Sequence, residues 1–260
     1  MNRTRRELLA GISIVGAGTL LAGCKRQATG NVNGAPAEQA KAEESTSDES
    51  GGDVSAVEDL MREHGVLRRA LLVYQDAAAK LRENATSVPL AALEKTAQLF
   101  RAFGEEYHEK KLEEVYIIPS LKKVQGPATV YTDVLLAQHA RGREITDYIL
   151  AVTKADKLPA AAAGPFVETL EAFVRMYEHH AAIEDTVIFP AWKESLSDDE
   201  LDSLGGTFEE IETAQFGEDG FEAALKRMAE IEESLGLANL GMFTAPAPPA
   251  PPPLPSPSAT

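Results

Sequence analysis

Apolar residues recur at steps of three and four along most of residues 56–235, the spacing that places them on one face of an α-helix. Four long segments carry this pattern, from about Ala56 to Glu83, from Leu90 to Lys123, from just after Gly126-Pro127 to Lys154, and from Pro165 to Leu196. Two shorter amphipathic segments follow, Leu201 to Gly217 and Phe221 to Leu235. No segment alternates with the period of two expected of a strand. The pattern therefore predicts an all-α fold, an up-down four-helix bundle with a short helical C-terminal extension.

One histidine stands in the apolar stripe of each long helix: His64, His108, His139 and His180. Counting about 1.5 Å of rise per residue from the predicted helix ends places all four at similar depths in an up-down bundle. Four imidazoles buried together without partners would be strongly destabilised by desolvation, and a metal ion removes that cost by taking their lone pairs. The pattern therefore predicts a layer of metal ligands.

A phrase that ends in proline occurs twice, as YHEKKLEEVYIIP at residues 107–119 and as EHHAAIEDTVIFP at residues 178–190. When the two are aligned on the proline, Glu113 falls on Glu184 and Glu114 falls on Asp185. These carboxylates lie about one helical turn from the histidines. A donor set of imidazole and carboxylate without thiolate suits iron, manganese or zinc.

The four motifs LMREHGVLRR, YHEKKLEE, LLAQHARGREIT and HAAIEDTVIFP resemble, in this order, the hemerythrin-like or HHE cation-binding domain. The resemblance covers about residues 55–235. It implies a four-helix bundle that holds a non-haem di-iron centre. The donor chemistry does not exclude manganese or zinc, and we expect the centre to bind a small molecule such as oxygen or nitric oxide. The residues that the resemblance implies as metal ligands are His64, His108, Glu113, His139, His180 and Glu184, with the histidines terminal and the two glutamates bridging the irons.

The second and third helices depart from the family pattern. Four residues separate His108 from Glu113, one more than separate the corresponding pair on the fourth helix. Either a π-bulge absorbs the extra residue or Glu109 takes part instead. On the third helix, Arg143 stands where oxygen-carrying hemerythrins have a second histidine, which leaves more open coordination for other ligands or redox chemistry.

The fourth helix offers two alternatives at neighbouring positions. His179 repeats the second helix's spacing to Glu184 and so competes with His180, which we prefer because it continues the apolar stripe. Asp185 competes with Glu184, because a His-x4-Asp motif also occurs in hemerythrins. Both choices remain open at the level of the sequence.

The two ends of the chain differ in composition from the bundle. Residues 1–24 have a basic start, an apolar run and the sequence Leu21-Ala22-Gly23-Cys24, which predicts a lipoprotein signal peptide whose lipobox ends at Cys24. The segment Thr4-Arg5-Arg6 resembles a twin-arginine export signal. Residues 25–54 lack aromatic residues and predict a disordered linker. Residues 236–260 predict a proline-rich disordered tail.

Charge narrows the expected partners. The chain carries a formal charge of −16, and removal of the signal peptide's three arginines and one glutamate makes it −18. Such a surface argues against nucleic acid and anionic lipid head groups as partners, so membrane attachment would come from the lipid on Cys24.

We expect a lipid-anchored protein of the bacterial cell envelope, facing the periplasm or the exterior, that binds or senses oxygen or a related ligand. A di-iron redox enzyme and an iron-homeostasis protein are the alternatives; the lack of acid or base groups besides the ligands favours binding over catalysis.

Overall fold

The computed structural model describes residues 54–217 and 219–249, and every regular element in that part of the chain is helical. Four long helices are followed by two shorter ones. Their bounds are Ala56–Glu83 (α1), residues 90–124 (α2), Thr129–Thr153 (α3), residues 160–194 (α4), Asp198–Phe216 (α5) and Gly220–Leu235 (α6), with a short 3-10 turn at Leu240–Phe243. The all-α helical bundle predicted from the apolar pattern is therefore confirmed.

Each long helix packs against two others, which closes the bundle around one core. Helix α1 lies along α4 and also contacts α2, and α3 lies against α2 and α4. The shorter helices α5 and α6 pack on α1 and α2, so the C-terminal extension covers that side of the bundle. Ser55 starts α1 by accepting a hydrogen bond from the Glu58 N–H, and Ser197 and Glu200 form a capping box at the start of α5.

The start of α4 differs most from the sequence pattern. The helix begins at Ala160 behind Pro159, whereas the pattern predicts a start at Pro165. Residues 160–164 are mostly alanine, the residue with the highest helix propensity. Their preference for helix outweighs the hydrogen bond that Pro165 cannot donate, so the helix runs through that proline.

Several features predicted for the chain ends lie outside the described residues. These are the signal peptide with Cys24, almost all of the linker at 25–54, and the last part of the tail at 236–260. The described part of that tail has no regular structure after residue 243. None of the helices in the described residues is both long and apolar enough to cross a membrane.

Two stretches of the bundle are wound as π-helix, Phe100–Ile117 within α2 and Glu184–Ile188 within α4. π-Helical winding is rare and is found most often at functional sites. Each stretch contains one of the two glutamates predicted to bridge a metal pair, Glu113 and Glu184. The wider turn on α2 absorbs the extra residue between His108 and Glu113, which was one of the two explanations offered by the sequence.

The two prolines that end the repeated phrase favour the wider turn just before them. In both copies the amide just before the proline donates to the carbonyl of the glutamate: Ile118 to Glu113, and Phe189 to Glu184. Proline has no N–H to donate, and its ring crowds the carbonyl one α-helical turn earlier. A wider turn ahead of the proline relieves that crowding and still gives the glutamate carbonyl a hydrogen bond.

Aromatic rings fill the core beside the histidines. Phe100, Phe173 and Tyr177 pack with ring centroids 4.7–5.0 Å apart, and all three are buried. Tyr177 also lies directly over Gly142 of α3. A β-carbon built on Gly142 would lie 1.9 Å from the Tyr177 hydroxyl oxygen, so the position of Tyr177 depends on this glycine.

Replacement of Gly142 by alanine should therefore destabilise the metal-free protein by about 1–3 kcal/mol, the usual effect of overpacking a core. Urea or thermal unfolding measures the change. Gly65→Ala is the matched control, because Gly65 is exposed within α1 and a β-carbon there meets nothing within 4 Å. The control should stabilise the helix by about 0.5–1 kcal/mol. Stabilisation by both substitutions would contradict the proposed contact.

Candidate metal centre

The four stripe histidines meet in two pairs at the centre of the bundle. Nε2 of His64 lies 2.9 Å from Nε2 of His108, and Nε2 of His139 lies 3.1 Å from Nε2 of His180. All four side chains are buried, with at most 3% of their surface exposed. One histidine from each long helix therefore points the same ring nitrogen into one shared space.

The other ring nitrogen of each histidine faces an oxygen acceptor on a neighbouring helix. The pairs are His108 Nδ1 with Glu63 (2.7 Å), His139 Nδ1 with Glu114 (3.1 Å), His180 Nδ1 with Gln138 (3.0 Å) and His64 Nδ1 with Asp185 (2.7 Å). The acceptors follow a cyclic order. An acceptor on α1 binds the histidine of α2, one on α2 binds that of α3, one on α3 binds that of α4, and one on α4 binds that of α1. We call this set the orienting ring.

The orienting ring fixes which nitrogen carries the proton. A carboxylate or amide oxygen can only accept, so the Nδ1 that faces it must donate, and in a neutral imidazole Nε2 is then left with a lone pair. Two such lone pairs face each other across 2.9 Å at His64 and His108. They repel unless a proton or a cation lies near them. This arrangement is typical of metal-binding histidines, whose second nitrogen donates to an oxygen acceptor.

Glu113 and Glu184 each reach both histidine pairs. The distances to Nε2 are 3.3 Å from Glu113 Oε1 to His108, 3.2 Å from Glu113 Oε2 to His139, 3.0 Å from Glu184 Oε1 to His180 and 3.5 Å from Glu184 Oε2 to His64. Among the described residues, neither oxygen of Glu113 nor Oε2 of Glu184 accepts a hydrogen bond, although both side chains are buried. Buried carboxylate oxygens without donors are the groups that a cation would satisfy.

The donor atoms form two groups that share a carboxylate. His64, His108 and Glu113 each offer an atom within 4.8 Å of the others, and Glu113 belongs equally to a second group with His139, His180 and Glu184. All six side chains predicted as ligands are thus brought together by the structure. Their chemistry, imidazole with carboxylate and no thiolate, fits iron, manganese or zinc.

The electrostatics of the centre favour separated charges. Burial lowers the pKa of His108, but the Glu113 and Glu63 carboxylates outweigh it and raise that pKa well above the ordinary value. Burial raises the pKa of Glu113, yet His108 and His139 outweigh it and hold that pKa well below its usual range. Without a cation, the centre therefore holds protonated imidazole against ionised carboxylate. Metal ions must displace these protons, so metal affinity should fall as the pH falls.

Glu109 lies beside the centre but has other partners. Tyr177 donates a hydrogen bond of 2.7 Å to Glu109 Oε1, and Arg143 donates to Oε2 at 3.3 Å. Burial raises the pKa of Glu109, although His139 and other neighbours act in the opposite direction. Glu109 also groups with Glu114 and His139, but Glu114 already accepts from Arg143 at 2.9 Å. Glu113, which reaches both histidine pairs, is therefore the better candidate for the bridging carboxylate on α2.

The neighbouring alternatives on α4 are separated by the direction of their side chains. His180 is buried in the centre, whereas His179 is exposed. Glu184 reaches the Nε2 atoms, whereas Asp185 turns to Nδ1 of His64 and to the guanidinium of Arg68. Asp185 therefore orients the His64 ring, and Glu184 is the better candidate for a metal ligand.

Sequence reasoning did not identify Glu63, Gln138 or Tyr177 as parts of the centre. Glu63 immediately precedes His64, and Gln138 immediately precedes His139, so each adjoins a predicted ligand in the sequence. That adjacency was an available signal. Glu63 accepts from His108 and Gln138 accepts from His180, so neither orients the histidine that follows it in the sequence. Only the order in which the helices pack shows these partners.

Comparisons with known proteins agree with this geometry. The family described as hemerythrin HHE cation binding domain matches residues 55–192. Uncharacterised proteins from Mycobacterium bovis and from two strains of Mycobacterium tuberculosis are each 41% identical over 242 residues, which covers 92% of this chain and 90% of the relative. No solved structure matches the chain.

Loss of an orienting acceptor should weaken metal binding. Glu63→Ala removes the acceptor of His108 Nδ1 and should lower the affinity for Zn²⁺ or Fe²⁺ about 10- to 100-fold, as loss of such partners does elsewhere. Competition titration against a chelator measures it. Glu63→Gln should recover most of the affinity, because it keeps an oxygen acceptor as Gln138 does. Glu83→Ala, exposed at the end of α1, is the control. Wild-type affinity in Glu63→Ala would contradict the orienting role.

Proposed function

This chain belongs to the hemerythrin HHE cation-binding family, and we propose that it holds a non-haem di-iron centre that binds or senses oxygen, nitric oxide or a related small ligand. The observation that carries the proposal is the convergence of four Nε2 atoms and two shared carboxylates, three of whose four oxygens accept no hydrogen bond among the described residues. His64 and His108 would hold one ion, His139 and His180 the other, and Glu113 and Glu184 would bridge them.

The charge of the centre favours bound cations. The carboxylates in and around it are Glu63, Glu109, Glu113, Glu114, Glu184 and Asp185, and the guanidinium groups are those of Arg68 and Arg143. Six carboxylates against two guanidinium groups leave an excess of acidic groups, which bound divalent cations would neutralise together with any protons kept on His108 and Glu109.

Two features favour iron over the other suitable metals. These are the donor set and the coordination positions that protein side chains do not fill. Each ion would receive two imidazoles and one oxygen from each bridging carboxylate. Non-haem iron sites that react with small molecules keep open positions of this kind. Arg143 occupies the place of the second α3 histidine of oxygen carriers and bonds to Glu109 and Glu114 instead. The centre therefore has a coordination position that no second histidine of α3 fills.

A second candidate function is the turnover of a small peroxide, as a di-iron redox enzyme. One observation favours it: Tyr177 and Glu109, joined by a hydrogen bond of 2.7 Å, line a pocket that opens on the centre. Iron, when bound, would supply the redox chemistry, and the Tyr177–Glu109 pair would hold a proton beside the bound substrate. Oxygen binding remains the primary proposal because it needs no further group.

The proposal predicts about two iron ions per chain when the protein is purified anaerobically with iron. His180→Ala should lower this stoichiometry, because it removes one of the two imidazoles of an ion. His179→Ala is the matched control: the neighbouring histidine is exposed and its loss should leave the iron content unchanged. Elemental analysis measures both.

Optical spectra separate the candidate functions. A new charge-transfer band when the reduced protein meets oxygen would support oxygen binding. Steady consumption of hydrogen peroxide would support the enzyme. Bound iron with neither response would support a role in iron homeostasis, and wild-type protein that binds no iron would overturn the proposal.

We further propose that the mature protein is anchored to the cell envelope by a lipid on Cys24. The support is the lipobox-like Leu21-Ala22-Gly23-Cys24 after a basic and apolar leader, and a linker long enough to hold the domain away from the bilayer. The twin-arginine resemblance fits export after folding, with the metal already in place. The anchor would face the periplasm or the exterior.

Cys24→Ser should move the protein from the membrane fraction to the soluble fraction of lysed cells, since the lipid needs the thiol. Fractionation followed by immunoblotting measures it. Ser45→Ala, in the linker that follows Cys24, is the control and should leave the protein in the membrane fraction. Retention of Cys24→Ser in membranes after a carbonate wash would contradict a lipid anchor.

A further inference from the structure

The orienting ring does not hold its four histidines equally. In the first histidine pair, His64 and His108, both Nδ1 contacts with the acceptor oxygen are 2.7 Å long. In the second pair, His139 and His180, these contacts are 3.1 and 3.0 Å long. Hydrogen bonds to ionised groups are shorter and stronger than those between neutral groups. The two pairs therefore differ in how strongly their rings are polarised, although their Nε2 atoms face one shared space.

The acceptors also differ in chemical type. Both acceptors of the first pair are carboxylates, those of Asp185 and Glu63. The second pair has one carboxylate, that of Glu114, and the neutral amide of Gln138. A carboxylate that accepts from Nδ1 makes the imidazole a more basic metal ligand. An amide oxygen carries no net charge, so it polarises the ring less.

One carboxylate acceptor in each pair is paired with an arginine. In the first pair Asp185 contacts Arg68, and in the second pair Glu114 contacts Arg143 at 2.9 Å. The two guanidinium groups reduce the negative charge of both acceptors in the same way. The difference between the pairs thus depends on the remaining two acceptors, which are a carboxylate in the first pair and an amide in the second.

The remaining carboxylate, Glu63, keeps its charge for His108. Among the described residues, Glu63 forms no ion pair with a lysine or an arginine, and its side chain is buried. Its second oxygen accepts from the neutral hydroxyl of Tyr107 at 3.0 Å. The Tyr107 ring packs against Phe216 of α5, which lies beyond the residues that match the family. The C-terminal extension therefore helps to fix this acceptor.

The other carboxylates of the centre do not cancel the difference. The bridging glutamates face both pairs at similar distances, 3.0 to 3.5 Å. The charge of Glu109 acts on His139 and His180 through space, because its two oxygens accept from Tyr177 and Arg143. A carboxylate bonded directly to the ring of a ligand changes that ligand's basicity more than one whose oxygens bond elsewhere.

We propose that the two candidate metal positions fill in a fixed order, with the first ion bound between His64 and His108 and the second between His139 and His180. Glu63 and Gln138 are the positioning residues that set this order, because they orient one histidine of each pair with and without a negative charge. The inference rests on the proposed function, since it requires two metal positions. It adds that these positions have unequal affinities.

Nuclear magnetic resonance of the histidine rings tests the order. Metal-free protein with isotope-labelled histidine is titrated with Zn²⁺, and each ring signal is assigned by substitution of its histidine. One equivalent of Zn²⁺ should shift the Nε2 signals of His64 and His108. The signals of His139 and His180 should shift only with the second equivalent. The exposed His179 is the internal control, and its signal should not follow either step.

Exchange of the two acceptors tests their role. In competition with a chelator, the wild type should bind Zn²⁺ in two steps whose affinities differ about tenfold. Glu63→Gln keeps the acceptor without its charge and should weaken the first step about threefold, and Gln138→Glu should strengthen the second step about threefold. The double variant should therefore bring the two affinities within about twofold of each other. Gln75→Glu is the matched control: it adds the same charge at an exposed position of α1 and should change neither step.

The outcomes separate this inference from the proposed function. If the wild type binds two ions while all four ring signals shift together, or while those of His139 and His180 shift first, the order is wrong and the two-ion centre stands. If one ion shifts all four signals, or if no ion binds, the proposed function fails with it. Wild-type affinities in the double variant would contradict the role of Glu63 and Gln138 even where the order is as expected.

Discussion

The orientation of four imidazoles by their Nδ1 hydrogen bonds is the constraint on which the rest of the centre depends. Every helix of the bundle gives one histidine and one oxygen acceptor, and every acceptor serves the histidine of the next helix. The ring of contacts closes only when all four helices are in register. Correct orientation of the Nε2 lone pairs therefore requires correct packing of all four helices.

The orienting ring places imidazole, carboxylate and amide groups inside a core that is otherwise apolar. Tyr177 packs against His180, and Phe189 packs against His64 and His108, so the donor atoms are shielded from water, and a lone pair that no cation satisfies is costly there. The π-helical turns fit the same demand, since they carry Glu113 and Glu184 inward ahead of their prolines. A strained or unusual backbone at a functional site is retained because the surrounding packing fixes it.

The bundle and the four inward histidines follow from local periodicity, whereas Glu113 and Glu184 were proposed from the repeated phrase and the family resemblance; the structure brings all six side chains together. A histidine in an apolar stripe is visible from spacing alone, and helix length gives its depth. The orienting ring is a property of the order in which helices touch, so Glu63 and Gln138 could not be assigned to His108 and His180 from spacing. The start of α4 at Ala160 was missed for a different reason: proline was given more weight than the alanine run before it.

Symmetry distinguishes this centre from that of an oxygen carrier with an additional histidine on its third helix. Here each ion would receive two imidazoles and a share of the same two carboxylates, so the donor set itself gives neither ion a preference for the exogenous ligand. Arg143, in the place of the additional histidine, closes the α3 side by its bonds to Glu109 and Glu114. The pocket opens between α1 and α4. Any preference between the two candidate positions must therefore come from the groups around the donor set, and not from the donor set itself.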